Sequence, residues 1–178
     1  MSIQTLDKLL ICHIDCSIWS GRKKLRPEDF RLANGSQLPP KDVASLGSKK
    51  ICDPEALANF ERLKKEAQRL CEQVGVRFLG GYAVPEDRID QIVPELDRIG
   101  QEFAQCKQLF LDNYDQVTFD WVAKHPEFAD AIRRALSPIE DVEQRLQFDY
   151  AIYRMQPAEQ AGGLDDKVNG MGHTLFRE

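Results

Sequence analysis

The chain has 178 residues, 42% hydrophobic and 30% charged, a length that suits one domain with at most a tail. Its net charge of −5 is unevenly spread: residues 1–50 hold nine Lys/Arg and five Asp/Glu, and the remainder carries −9. A basic head on an acidic body excludes coating of nucleic acid by the whole molecule, and leaves a local anion site at the head open.

No apolar run approaches the ~18 residues of a membrane helix. The start, MSIQTLDKLLICHIDC, has neither a basic n-region nor a small-residue cleavage site, so no membrane partner and a cytoplasmic location are expected. The five cysteines, at irregular spacing and without a CxxC, are expected to be reduced thiols.

Residues 8–19 alternate as a strand, with Leu10, Cys12, Ile14, Cys16 and Ile18 on an apolar face. His13, Asp15 and Ser17 share the mixed face with Leu9, Ile11 and Trp19. Residues 20–50 are turn-rich and read as a long ordered loop with one short helix near Pro27–Leu32. Residues 53–74 predict a helix with Asp53 as N-cap, Pro54 at the first position and Gly75 supplying a left-handed C-terminal residue. The stretch 76–85, broken by Gly80-Gly81, is a strand with a glycine kink or a tight hairpin.

Residues 86–124 are the most periodic. Ile92, Leu96, Ile99, Phe103, Cys106, Phe110, Tyr114, Val117 and Trp121 form a heptad-like seam on one long helix that Pro94 starts or kinks. Phe103, Phe110, Tyr114 and Trp121 are its candidate interface residues; packing on helix 53–74 and association with a partner or a second copy both remain open. His125-Pro126 ends the helix. A short helix follows over 126–136, with Phe128, Ile132, Ala135 and Leu136 inward. Ser137-Pro138-Ile139-Glu140 reads as a capping box opening another helix through about Arg145. Residues 147–155 alternate as a closing strand beside the first, and 156–178 read as a linker or tail.

The fold class expected is therefore α+β: a small sheet, a long antiparallel coiled-coil-like helical pair and short C-terminal helices, in a single domain over 1–155.

Few residues suggest chemistry. Cys12-His13-x-x-Cys16 has the types of a metal site, but four residues on a strand span ~13 Å while zinc gathers its ligands within ~2.3 Å of one point. Buried cysteines and no metal are expected. Leu46-Gly47-Ser48-Lys49-Lys50 lacks the first glycine of a phosphate loop, and Gly80-Gly81 lacks the third of a dinucleotide fingerprint. His125 and His173 stand alone. The acids Asp87, Asp90, Glu95 and Asp97 suit a helix start. No Ser/His/Asp or Cys/His set assembles, so neither an enzyme nor a cofactor is expected.

The basic loop is different. Arg22, Lys23, Lys24 and Arg26 follow Trp19, and Lys49 and Lys50 close the same loop. Cations beside an aromatic ring suit phosphate contact or base stacking, an acidic protein face, or a solvated rim.

SIWSGRKKLRPED (17–29), GSKKICDPEAL (47–57) and GVRFLGGYAVPED (75–87), followed by DYAIYRM (149–155) and GMGHTLFRE (170–178), resemble the bacterial family domain of unknown function 3150 over the whole chain. None of these phrases is a catalytic signature. Members resembling this one occur in proteobacterial integrative and conjugative elements and phages, often near a MoxR/CobS-like AAA+ ATPase and a von Willebrand factor A protein. They run longer, so the resemblance implies an N-terminal piece of a longer protein. It also implies a non-enzymatic adaptor or recognition partner of that ATPase module. The alternative is a nucleic-acid-binding accessory to element maintenance or recombination.

Overall fold

The computed structural model describes residues 8–26, 29 and 47–155. The expected helix near Pro27–Leu32, apart from Asp29, and the expected tail over 156–178 lie outside the described residues. The described residues group into two compact units, each built from separated stretches of chain. Residues 8–16, 62–104 and 147–155 form the first; 17–26, 29, 47–61 and 105–146 form the second.

The first unit holds a four-stranded sheet. Its strands are β1 (Leu9–Ser17), β4 (Val76–Phe78), β5 (Gly81–Pro85) and β6 (Gln147–Tyr153), in spatial order β4-β5-β1-β6. The other two strands among the described residues, β2 (Arg22–Lys24) and β3 (Ser48–Lys50), belong to the second unit. β5 pairs antiparallel with both neighbours, Leu9 opposite Pro85 and Val76 opposite Ala83. The alternation read in 8–19 and 147–155 therefore gives two adjacent strands. Residues 76–85 resolve as a hairpin. Leu79 (φ 46°) and Gly80 (φ 80°) are both left-handed, the geometry that lets a two-residue turn follow the strand twist.

Helix α1 (Ala58–Val74) and helix α2 (Ile89–Asp112) supply the layer over the sheet. Leu63, Ala67 and Cys71 from α1 and Ile92, Leu96, Ile99 and Phe103 from α2 are buried. Cys12 of β1 meets Cys71, Sγ to Sγ 3.7 Å, with the Cys71 thiol donating. That donation first, and then burial, hold the Cys71 thiol well above its usual range. On the reverse face Leu9, Ile11 and Ala83 pack with Phe78 and Met155. The helices run antiparallel: Arg62 pairs with Glu102, and Arg98 with Glu66 at 2.5 Å. These bridges are half-exposed and set register more than stability.

Three expectations about the helices change. First, α1 is preceded by a 3-10 turn over Pro54–Leu57; Asp53 caps that turn by accepting from the Glu55 amide at 3.1 Å. Gly75 is not left-handed. Its amide still donates to the Cys71 carbonyl, and its missing side chain matters because a Cβ there would sit 2.5 Å from the Ala83 carbonyl oxygen. Second, of the two roles read for Pro94, starting the helix is excluded: α2 begins at Ile89 and Pro94 lies inside it. It forfeits one hydrogen bond, to the carbonyl of Asp90, on an exposed face where water replaces the donor.

Third, the stretch 86–124 is not one helix. α2 ends at Asp112 and α3 (Tyr114–Lys124) begins after Asn113. The Asn113 side-chain amide donates to the Leu109 carbonyl at 2.8 Å, competing with the helical ladder. After this break the buried stripe runs Tyr114, Thr118, Val122 in place of Val117 and Trp121.

The second unit packs Trp19, Ile51, Cys52, Leu57, Phe60, Phe110 and Tyr114 together. Trp19 lies 5.8 Å from Tyr114 and 6.2 Å from Phe110, centroid to centroid. The short helices are α4 (Ala129–Arg133), after a 3-10 turn over Pro126–Phe128, and α5 (Ile139–Gln144). Phe128, expected inward, is 57% exposed, while Ala131 and Ile132 take the buried positions. The expected capping box does not form. Pro138 is the N-cap of α5, one residue late, so the Ser137 hydroxyl makes no cap; it is buried and unpaired. The Ser137 carbonyl instead accepts from the Tyr114 hydroxyl at 2.9 Å.

Candidate anion-binding site

The two ends of the expected loop pair with each other. Residues Arg22–Lys24 form β2 and Ser48–Lys50 form β3, an antiparallel ribbon in which Arg22 faces Lys50, Lys23 faces Lys49 and Lys24 faces Ser48. The pairing extends at both ends, Ile51 N–H to the Gly21 carbonyl at 2.8 Å and Leu25 N–H to the Gly47 carbonyl at 3.1 Å. Gly21 (φ 61°) and Gly47 (φ 75°) supply the left-handed residues at these ends.

Five of the six ribbon residues are cations, and two like-charge pairs stand directly opposite each other. Such pairs are destabilising in a sheet. One carboxylate offsets them. Asp29, whose side chain is 5% exposed, binds the Lys49 ammonium at 2.5 Å and accepts from the Arg26 amide at 2.8 Å. Burial alone would raise the Asp29 carboxyl; the Lys49 and Arg26 hydrogen bonds and the nearby Arg134 outweigh it and hold the group below the usual carboxylate range. Arg22, Lys23, Lys24 and Lys50 have no carboxylate partner among the described residues.

Beside the ribbon lies a cleft of about 560 Å³ lined by Lys23, Lys24, Arg26, Asp29, Lys49 and Arg134. A second, more apolar pocket of about 350 Å³ shares Asp29 and Lys49 with it and continues along Lys50, Trp121, His125 and Phe128. Trp121 donates its indole N–H to the Lys50 carbonyl at 3.2 Å. Its ring meets His125 edge-on, 4.3 Å between centroids.

The structure thus brings Arg22, Lys23, Lys24, Arg26, Lys49 and Lys50 onto one element and its flank. It separates Trp19 from them: that ring is 2% exposed and enclosed in the core. Phe103, Phe110 and Tyr114 are likewise buried within their own units, and Trp121 leaves the seam for the ribbon. Sequence reasoning missed Asp29, Arg134, His125 and Phe128 as neighbours of this site. Arg133-Arg134 on a short helix was the one visible signal, and nothing in its spacing points to residue 23. Among the described residues no cluster of His, Cys, Asp and Glu is arranged to hold a metal, and no helix is long and apolar enough to cross a membrane.

The described residues thus combine a mixed fold of helices and strands with a cationic ribbon and one ion-paired carboxylate. The chain belongs to the family described as protein of unknown function (DUF3150), which matches residues 6–178. No curated protein and no solved structure matches it.

Proposed function

We propose that this protein is a non-enzymatic recognition module that docks an anionic partner on the β2–β3 ribbon. The carrying observation is the pair of like-charge cross-strand contacts, compensated by a single buried carboxylate. A ribbon that keeps four cations without an ion-paired carboxylate among the described residues bears a local electrostatic cost, which an anionic partner relieves. The lining of the cleft, cations plus an ion-paired carboxylate, suits binding rather than bond cleavage.

In the setting that the family resemblance implies, the module serves as the adaptor of a MoxR/CobS-like AAA+ ATPase and von Willebrand factor A protein in the cytoplasm of a cell carrying a mobile element. A nucleic-acid accessory role is the second reading, favoured by the aromatic pocket that adjoins the cleft. The test is co-purification with the ATPase encoded beside it, across a salt series. Capture should weaken as salt rises. It should fall at least tenfold in a Lys23→Glu/Lys24→Glu/Arg26→Glu variant with unchanged circular dichroism. Undiminished capture by that folded variant removes the ribbon from the docking surface.

A further inference from the structure

Two pockets that share a wall invite one ligand. The basic cleft and the aromatic pocket meet at Asp29 and Lys49, so a molecule lying on the ribbon cations can reach into the pocket without leaving the surface. The pocket is built for a flat apolar group. Trp121 is fixed alongside β3 by its bond to the Lys50 carbonyl, His125 stands edge-on against it, and Phe128 holds an aromatic ring 57% exposed. Ala131 and Ile132 also line the pocket. An exposed phenylalanine beside unneutralised cations stabilises nothing described in the fold itself. Together they match a ligand that carries both anionic groups and aromatic faces.

We infer that the ribbon and its aromatic pocket bind single-stranded nucleic acid, with phosphates on the cations of β2 and β3 and an unstacked base against Trp121, His125 and Phe128. This rests on the anion-docking reading above and selects its ligand. Lys24, which lines the cleft, and Lys50, which lines the aromatic pocket, lie on the same face of the ribbon, a path an extended sugar–phosphate chain can follow. Each strand of the ribbon is three residues, ~10 Å, enough for two or three phosphates. A duplex keeps its base faces stacked inside and has none to offer the pocket; a single strand does. An acidic protein face would satisfy the cations but leaves the aromatic pocket without a stacking partner.

Fluorescence anisotropy of the full chain tests this with five probes: single-stranded oligothymidylate and oligouridylate of about ten nucleotides, an abasic strand of equal charge, the corresponding duplex, and polyglutamate. A single strand with bases should bind about tenfold or more tighter than the abasic strand, as stacking of one base provides. Phe128→Ala, at an exposed position, should bring the two together while leaving abasic binding unchanged. Lys23→Glu/Lys24→Glu should weaken both. Equal, salt-sensitive affinity for base-bearing and abasic strands overturns the inference and leaves anion docking standing. Polyglutamate or duplex binding as tightly as the single strands overturns it in favour of an acidic protein or a backbone-only contact. Failure of every polyanion to bind overturns the inference and the docking reading together.

Discussion

Tyr114 shows how a single side chain ties this fold to pH. Its phenol donates to the Ser137 carbonyl, and burial pushes it up to about 12. Burial first, and then the Asp97 carboxylate that accepts from its hydroxyl at 2.6 Å, raises Tyr150 to about 12 as well. The Cys52 thiol stands at about 11 through burial, with Asp53 adding to the shift. All three are acids whose native values lie above their unfolded ones. Unfolded, they ionise from pH 9.0 for the thiol and 10.0 for the phenols, while the native state still holds the protons. Their stabilisation is therefore complete below about pH 9 and is lost as pH rises through 11 to 12. Denaturant midpoints measured from pH 7 upward should be level at first and then fall steeply, and Tyr114→Phe should flatten part of the fall. A midpoint that stays level to pH 11 would contradict the burial of these groups.

At the scale of elements, the ribbon holds a conflict between stability and binding. Lys50→Glu places a carboxylate opposite Arg22 and converts a repulsive cross-strand pair into an attractive one. We expect it to stabilise the ribbon by about 0.2–1 kcal/mol, seen as slower hydrogen exchange at the β2 and β3 amides, and to weaken anion binding. Faster exchange at those amides would show that the like-charge pair is not what strains the ribbon. The ribbon was hidden in the sequence because three-residue strands of Arg and Lys carry no hydrophobic alternation. Elements whose signal is local were legible: the Asp53-Pro54 cap, the period-two run of 147–153 and the apolar stripe of α1. The seam was legible as far as Tyr114. Beyond it, after the break at Asn113, Thr118 and Val122 are buried in place of Val117 and Trp121, and the Trp121 indole bonds the Lys50 carbonyl of β3. The site itself was half legible. Its cations are adjacent in sequence, but Asp29, Arg134 and Phe128 reach it only through contacts that no spacing encodes.

Over the whole molecule, neither unit is a continuous piece of chain. The first closes only with 147–155, where Phe148 packs 5.7 Å from Phe103 and lies against Gly100, whose absent side chain leaves room for the ring. A fragment ending at residue 146 removes β6 and leaves β1 with one neighbour in place of two. We expect it to keep helical circular dichroism but lose near-ultraviolet signal and a cooperative melt. A fragment that melts cooperatively at the temperature of the full chain would show that β6 is dispensable.

The same order of strands has a consequence during synthesis. β1 is the first element to leave the ribosome and β6 the last of those described, yet they lie side by side. At about 5–20 residues per second, the 129 residues between Ser17 and Gln147 take on the order of ten seconds to make. For that interval one edge of Leu9–Ser17, a strand that carries the buried Leu9, Ile11 and Cys12, waits without its neighbour. An uncovered apolar edge is what misassembles between chains. The nascent chain is thus open to misassembly until Gln147–Tyr153 arrives to cover that edge.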